Sequence, residues 1–275
     1  MTKTILITGC SSGIGHDAAH GLRARGWRVI ASARDPEDVA RLRGEGLEAV
    51  RLDLADPASI AEGFAAALGL AGRLDALYNN AAFAIPGAVE DLPVGALREI
   101  FETNLFGLHD LTTRAIRVMR AQGGGRIVQC SSVLGLMGAR WRGAYVASKF
   151  ALEGLTDVLR LEMRGTPVRI VTLNPGPIPT RFRLNSIPHF ERWVEWRASP
   201  RRAQYEATLL KRLYDPSGKK DRFELPPSAV TAALIRALED PAPRDHYYIT
   251  TATWLAALTR RLAPARLRDW LAAKA

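Results

Sequence analysis

Residues Thr4 to Gly26 read TILITGCSSGIGHDAAHGLRARG, a short apolar run followed by a small-residue loop and an amphipathic segment. The run Thr4–Thr8 predicts a strand, and the segment that extends to about Arg25 predicts a helix. Between them, the loop Gly9–Gly15 has glycines where the backbone must turn tightly and where a pyrophosphate can approach the positive end of a helix. A glycine-rich loop alone is weak evidence, but its position between the first strand and the first helix indicates a dinucleotide site.

Strands and helices continue to alternate beyond this stretch. Further strands are predicted at Trp27–Ala33, Glu48–Asp53, Arg73–Asn80, Arg126–Ser132 and Val168–Gly176. Helices are predicted at Pro36–Arg43, Pro57–Leu70 and Val94–Gln122, and another contains Tyr145 and Lys149. Apolar strands separated by single helices are typical of a parallel sheet covered on both faces. The sequence therefore predicts an α/β fold with a doubly wound parallel sheet, the Rossmann fold, in a single domain over residues 1–275.

The last third of the chain is less regular. Residues 177–227 predict a loop-rich segment, and a stretch of this length inside a compact domain is usually functional. A helix at Pro226–Asp240 and a strand at Asp245–Thr251 follow. Residues 252–274 predict a basic helical tail that is interrupted at Pro264.

Composition narrows the class of protein but not its ligand. The 275 residues are 47% hydrophobic and 24% charged, as expected of a globular domain with a sizeable core. A net charge of +10 attracts phosphate-bearing ligands, nucleic acid or anionic membrane without selecting among them. Cys10 and Cys130 show no metal-ligand spacing, so we predict no metal site and no disulfide framework. No apolar run is long enough to span a membrane, and we expect a cytoplasmic protein.

The segment GAYVASKFAL, residues 143–152, contains Tyr145 and Lys149 four positions apart. On a helix, this spacing presents the phenol and the ammonium on the same side. A free phenol has a pKa of ~10, and a lysine cation one turn away is expected to favour the phenolate and lower that value. Tyr145 could then exchange a proton with a substrate oxygen. From this segment alone, a packed helix with an ordinary solvated lysine is an equal alternative.

Several motifs occur in an order that resembles the short-chain dehydrogenase/reductase family. The glycines have the spacing Gly-x-x-x-Gly-x-Gly, NNAA stands at Asn79–Ala82, and NPGPIPT stands at Asn174–Thr180. Asn104, Ser132 and the Tyr-x-x-x-Lys pair complete the pattern, which spans nearly the first two thirds of the chain. Ala82 departs from the family's glycine and puts the local geometry in doubt.

The resemblance implies a catalytic set of Asn104, Ser132, Tyr145 and Lys149. Tyr145 would be the general acid and base, and Lys149 would also bind the nicotinamide ribose. Ser132 would donate a hydrogen bond to the substrate oxygen, a role for which it is preferred over Ser131; a strand-end cap is its alternative. Asn104 would support a water chain, the alternative being a buried asparagine that only bonds the backbone.

The resemblance also implies a cofactor site and a preference for NADP(H) over NAD(H). NAD-binding relatives have an acidic residue at the position of Ala33, and here Arg34 follows it, although Asp35 is adjacent and Arg34 could be a solvated cation. Asp53 matches an adenine contact, with a turn before Pro57 as the alternative. The expected cofactor-binding residues are Gly9, Ser11, Ser12, Gly13, Ile14, Gly15, Arg34, Asp53, Leu54, Asn80, Ala81, Tyr145, Lys149, Pro175, Gly176, Ile178 and Thr180.

Residues 177–227 correspond to the family's substrate lid. The lid is rich in apolar side chains, which suit a hydrophobic ketone, aldehyde or alcohol, although they could also merely pack the lid onto the domain. These residues are Phe182, Leu184, Ile187, Phe190, Trp193 and Trp196. The arrangement is similar to the branch that contains hydroxysteroid and retinol dehydrogenases, and it leaves the natural substrate open.

The expected partners follow from the same resemblance. The family's subunit contacts imply a homodimer or homotetramer, and no nucleic-acid partner is expected. The basic tail could lie on an anionic membrane, although packing against the core or a sister subunit is simpler. A non-catalytic NADP(H)-sensing regulator is the main rival function, but it would not need the proton-transfer residues. An epimerase or dehydratase is disfavoured by the glycine spacing.

Overall fold

The computed structural model describes residues 2–274, which form a single domain around a seven-stranded parallel sheet. The strand order is β3-β2-β1-β4-β5-β6-β7, which confirms the predicted doubly wound fold. The strands are β1 (Thr4–Ile7), β2 (Arg28–Ala33), β3 (Glu48–Arg51), β4 (Ala76–Asn79), β5 (Gly125–Cys130), β6 (Val168–Asn174) and β7 (His246–Tyr248). Several predicted strands ran two or more residues too far at their carboxyl ends, because polar and glycine residues there form the loops of the site.

Thirteen α-helices lie in the described part of the chain. They are α1 (Gly13–Ala24), α2 (Pro36–Gly44), α3 (Pro57–Ala71), α4 (Val94–Phe101), α5 (Leu108–Ala121), α6 (Gly143–Glu162), α7 (Phe182–Asn185), α8 (Ile187–Trp193), α9 (Arg202–Gln204), α10 (Leu210–Leu213), α11 (Pro227–Glu239), α12 (Thr251–Leu262) and α13 (Ala265–Lys274). Alternate strand residues supply two cores: Ile5 and Ile7 face the side of α1 and α11, whereas Leu6 faces the side of α3 and α5. Each fully buried side chain of this size contributes about 1.5–3 kcal/mol.

The predicted long helix at Val94–Gln122 is interrupted. Residues Glu102–Gly107 form a π-helical segment between α4 and α5, and this segment contains the buried Asn104. A π-helical turn widens the helix and is often found at functional sites. Hydrophobic periodicity could not show it, because the apolar face continues on both sides of the widened turn.

The prediction that the lid, residues 177–227, consists mainly of loops was wrong. Residues 177–227 contain four short α-helices and a second π-helical segment, Tyr205–Leu209. The lid has a core of its own that includes Phe190 and Tyr205, both fully buried. Some lid aromatics therefore do pack the lid, whereas Phe182 and Trp193 reach the apolar cluster around Tyr145.

The tail folds as the sequence indicated, with α12 and α13 separated at Ala263–Pro264. Leu258 and Leu262 of α12 are more than half exposed. Among the described residues, no helix is long and apolar enough to span a membrane.

Candidate active site

The predicted site residues meet at the carboxyl edge of the sheet. The loops after β1, β4, β5 and β6 all leave the sheet at this edge, because parallel strands end on the same side. The strand order reverses beside β1, which places the glycine-rich loop next to the loop after β4. This reversal is where open α/β sheets bind their ligands.

Three glycines form a cradle at the start of α1. Gly9 has φ +71°, and a Cβ there would lie 2.9 Å from Ala81 Cα. A Cβ on Gly13 would lie 2.8 Å from Thr180 Cγ2, and one on Gly15 would overlap the Gly9 carbonyl oxygen. The loop is therefore packed so closely at these three positions that a side chain would not fit there without displacing a neighbour. These contacts fit the dinucleotide that the sequence predicted.

The N-terminus of α1 remains open to an anion. Its cap residue, Ser12, makes no side-chain hydrogen bond, and no acidic residue occupies the first turn. Free N–H groups and the positive end of the helix dipole favour a phosphate here. Ile14 packs against the sheet, and the Ser11 carbonyl accepts a 2.7 Å hydrogen bond from Arg41.

Asn80 joins the loops that follow β1 and β4. Its Nδ2 donates to the carbonyl oxygens of Thr8 and Gly9 at 3.0 and 3.2 Å. The Thr8 hydroxyl accepts hydrogen bonds from the backbone N–H groups of Asn80 and Ala81. This network fixes the cradle, and Ala82 is accommodated half-buried beside it.

The loop after β6 completes the wall around the cradle. The Pro175 carbonyl accepts from Val133 N at 2.7 Å, and Gly176 lies close enough to Thr250 to exclude a side chain. Ile178 packs against the sheet core, and Thr180 reaches Gly13. Thr180 is thus the residue through which the loop after β6 reaches the glycine-rich loop.

Tyr145 and Lys149 are both buried on α6, with 8% and 1% of their surfaces exposed. The alternative of an ordinary solvated lysine is therefore wrong. Lys149 Nζ donates a 2.7 Å hydrogen bond to the Cys130 carbonyl and lies 5.6 Å from the centre of the Tyr145 ring. The Tyr145 ring packs edge-on against Phe182 of the lid, with ring centres 5.2 Å apart.

The expected lowering of the Tyr145 pKa is not found in this structure. Burial raises the pKa of the Tyr145 phenol well above its ordinary value, and a hydrogen bond with Ser132 and the positive charge of Arg142 only partly offset that rise. Lys149 does not reverse the direction, since its own pKa is lowered by burial. Because burial raises its pKa, the Tyr145 phenol is protonated at neutral pH and can donate a hydrogen bond.

Ser132 and Ser131 face different groups. Ser132 lies close enough to Tyr145 to lower the pKa of its phenol, and the Ser132 Oγ accepts from Leu134 N at 3.1 Å. Ser131 is buried beside Glu153 and Gly135. The two neighbours thus contact different groups, and Ser132 is the one that lies on the side of Tyr145.

Asn104 holds the loop after β4 onto α6. Its Oδ1 accepts from Phe83 N at 3.1 Å, and its Nδ2 donates to the Phe83 carbonyl and to Ser148 Oγ at 3.0 and 3.1 Å. The side chain therefore does bond backbone, but it also reaches α6 through Ser148. Ser148 in turn donates to the Tyr145 carbonyl at 2.8 Å.

The ends of β2 and β3 carry the groups that would face an adenosine. Arg34 is exposed after the buried Ala33, while the Asp35 carboxylate accepts from Glu37 N at 2.9 Å and caps α2. Asp53 accepts from Ala55 N at 3.0 Å in a local turn, and Leu54 is buried. Asp35 is thus engaged in a cap, whereas the Arg34 side chain lies in solvent.

Two charged residues near Tyr145 were not singled out from the sequence. Arg142 is half-buried three residues before Tyr145, and its side chain makes no hydrogen bond or ion pair within the described chain. Glu153 is 4% exposed and accepts from Asn174 Nδ2 at 2.6 Å. The spacing of Glu153, four after Lys149, was the signal that could have identified it.

Comparison with known proteins places this site in a family. The short chain dehydrogenase profile matches residues 3–189. An uncharacterized oxidoreductase of Escherichia coli, YbbO, is 36% identical over 270 residues, covering 98% of this chain and 93% of YbbO. Human retinol dehydrogenase 8 is 35% identical over 191 residues, which cover 66% of this chain and 60% of that protein.

A solved structure of similar shape supports the same conclusion. A short chain dehydrogenase/reductase from Burkholderia phymatum, in complex with NAD, has a TM-score of 0.79 and 26% identity, with 95% of this chain and 92% of that chain covered. The profile match, the full-length relative and the glycine cradle agree. The chain belongs to the short-chain dehydrogenase/reductase family of oxidoreductases, for which a nicotinamide cofactor is typical.

Proposed function

We propose that the protein is an NADP(H)-dependent oxidoreductase that interconverts a hydrophobic ketone or aldehyde and its alcohol, with Tyr145 as the general acid and base. The observation that carries the proposal is that the Tyr145 phenol is buried near Ser132, with the Lys149 ammonium 5.6 Å from the centre of its ring, at the same edge of the sheet as the glycine cradle. The sensing regulator would need the cradle alone. Proton transfer requires in addition the groups that Tyr145, Ser132 and Lys149 supply, namely a buried phenol, a hydroxyl and an ammonium.

The cofactor would lie along the cradle, with its pyrophosphate at the N-terminus of α1. Arg34 supports the choice of NADP(H), because its exposed guanidinium can pair with a 2′-phosphate while Asp35 is engaged as a helix cap. The Burkholderia phymatum relative was solved with NAD, so the preference rests on these two side chains. When bound, the cofactor supplies or accepts the hydride.

The residues of this chain manage the proton. In reduction, Tyr145 donates its phenolic proton to the substrate oxygen while Ser132 donates a hydrogen bond to the same atom. In oxidation, Tyr145 removes the proton of the alcohol. Lys149 stabilises the phenolate that remains after proton donation, since its ammonium lies above the Tyr145 ring. Asn104 holds α6 in position and is proposed to support the water that returns the proton.

The substrate would bind between Tyr145 and the lid, residues 177–227. Phe182 packs against Tyr145, and Trp193 belongs to the same apolar cluster. Apolar walls beside a single proton-transfer group suit a hydrophobic carbonyl compound or alcohol. The similarity to retinol dehydrogenase 8 supports this class without identifying the natural substrate.

A homodimer or homotetramer is proposed for the functional protein. Four large apolar side chains lie exposed on one side of α6, where they would gain from being covered. They are Phe150, Leu155, Val158 and Leu161. A reducing, cytoplasmic setting is supported by Cys10 and Cys130, which are both free and buried.

The test is Tyr145→Phe, assayed for reduction of a panel of hydrophobic ketones and aldehydes with NADPH. Turnover should fall by about 10²–10⁴-fold, the usual contribution of a general acid. NADPH binding should stay nearly intact, because only the phenolic oxygen is lost and the ring still packs against Phe182. Tyr248→Phe, on β7, is the matched control and should keep full turnover.

Two results would contradict the proposal. Equal turnover in Tyr145→Phe would remove the tyrosine from the chemistry. A wild-type protein that binds NADPH but reduces none of the panel, and oxidises none of the corresponding alcohols, would favour the sensing regulator.

A further inference from the structure

His16 and His20 both contact the carboxylate of Glu45, and none of these three residues belongs to the candidate catalytic set. They lie four residues apart on α1, and their Nε2 atoms are 2.7 and 2.8 Å from the same Oε2 atom of Glu45. Glu45 caps the C-terminus of α2, so the cluster joins two helices that are separate in sequence. The three atoms that could bind a metal all lie within 4.8 Å of one another.

We propose that His16, His20 and Glu45 form a binding site for a divalent transition-metal ion of the Zn²⁺ class. The proposal does not depend on the proposed reaction. It also departs from the sequence prediction of no metal site, which considered cysteine spacing and did not bring Glu45 beside the histidines.

The geometry needs little adjustment to hold an ion. Zn²⁺ binds imidazole nitrogen and carboxylate oxygen at about 2.0–2.2 Å, so tetrahedral ligands lie about 3.3 Å apart. The two nitrogen–oxygen separations in the structure are 2.7 and 2.8 Å. An ion would therefore have to move the carboxylate oxygen away from the imidazoles by about half an ångström. Two histidines at i and i+4 can bind one ion from a single helix face, and water can fill the fourth position.

The ligand types select the class of metal. Two imidazoles and one carboxylate suit Zn²⁺, Cu²⁺ or Ni²⁺, whereas Mg²⁺ and Ca²⁺ prefer oxygen ligands. Because an ionised carboxylate can only accept, each Nε2 must carry the hydrogen of its bond to Glu45. On binding, that hydrogen must move to Nδ1, and neither Nδ1 makes a hydrogen bond to the described part of the chain.

Arg41 limits the affinity and links the site to the cradle. Its Nη1 donates to Glu45 Oε1 at 2.7 Å, leaving Oε2 to the histidines, and its Nη2 donates to the Ser11 carbonyl at 2.7 Å. The guanidinium charge opposes a cation nearby. The ion would therefore fasten α1 to the end of α2 beside the loop that forms the cradle.

The experiment is calorimetric titration of the reduced, tag-free protein with ZnCl₂, using His16→Gln, His20→Gln and the double variant. Glutamine can still donate a hydrogen bond to Glu45, so the fold should be kept, and an unchanged melting temperature without metal verifies this. His109→Gln, an exposed histidine on α5, is the matched control. MgCl₂ serves as the control ion.

The expected result is one Zn²⁺ per chain for the wild type and for His109→Gln. Each single variant at His16 or His20 should bind at least tenfold more weakly, a difference of about 1.4 kcal/mol. Zinc should also raise the melting temperature of the wild type but not of the double variant. The proposal is overturned if the wild type binds no stoichiometric zinc, or if the double variant binds it equally well.

Discussion

Lys149 and Glu153 lie one turn apart on the same face of α6, and both side chains are almost wholly buried. Burial lowers the pKa of Lys149, and the negative charge of Glu153 acts against that change. The nearby Cys130 thiol cannot take this role, because burial raises its pKa and keeps it neutral. Burial also raises the pKa of the Glu153 carboxyl, but hydrogen bonds with Ser131 and Asn174 act against that rise. We infer that Glu153 carries the negative charge that favours the ammonium form of Lys149 beside Tyr145.

Glu153→Gln should shift the pH profile of carbonyl reduction. Gln Oε1 can still accept from Asn174, so the change removes a charge while preserving the contact. Without the carboxylate, both Lys149 and Tyr145 lose their protons more readily, and the alkaline decline of kcat/KM should move to lower pH. Glu162→Gln, exposed on the same helix, should leave the profile in place. An unshifted decline in Glu153→Gln would show that the carboxylate has no electrostatic role.

Arg142→Gln should move the alkaline decline of kcat/KM for carbonyl reduction to higher pH. The positive charge of Arg142 lowers the Tyr145 pKa, against the larger effect of burial. Its removal makes the phenol harder to ionise, so reduction should persist to higher pH and oxidation should begin at higher pH. Arg142→Lys keeps a positive charge and should stay close to the wild type. If the pH profile of Arg142→Lys shifts as that of Arg142→Gln does, the shift comes from the loss of the guanidinium's packing and not from the loss of its charge.

Arg34→Ala should change the cofactor preference. The Kd for NADPH, measured by fluorescence titration, should rise at least tenfold, which corresponds to about 1.4 kcal/mol, while the Kd for NADH stays the same. Arg25→Ala removes an exposed arginine that pairs with Glu239, and it should alter neither constant. An equal loss of affinity for both cofactors would mean that Arg34 does not contact the 2′-phosphate.

The double substitution Val158→Asp and Leu161→Asp should reduce the oligomeric state. Both side chains are more than half exposed on α6, and carboxylates in a covered apolar contact would be left without partners. Light scattering after size exclusion should give the mass of a smaller assembly. Leu70→Asp, exposed on α3, is the control for added charge. A wild-type mass equal to one chain would contradict the proposed oligomer directly.

The sequence predicted the fold, and it brought together those candidate site residues whose positions are constrained locally. The glycine loop must follow β1 and open α1, and Tyr145 and Lys149 share a face by helical spacing alone. The same spacing gave the wrong direction for the Tyr145 pKa, because desolvation depends on how deeply α6 packs beneath the lid. No local pattern reports that depth.

Contacts distant in sequence account for what was missed. Glu45 reaches His16 and His20 only because α1 and α2 pack side by side on the sheet. Arg142 lies beside Tyr145, but its proximity to the lid residues Arg183 and Arg212 follows from the fold of the lid. Asp35 could have turned toward the cofactor, and its use as a cap was decided by the geometry of α2.

The π-helical segment Glu102–Gly107 makes the chain sensitive to length as well as to residue identity. Deleting one residue there would restore a regular helix and rotate α4 relative to α5 by about 100° about the helix axis. Asn104 could then not meet both Phe83 and Ser148, although Ser132, Tyr145 and Lys149 would still be present. In the evolution of this protein, we expect substitutions to accumulate in this segment while insertions and deletions are eliminated.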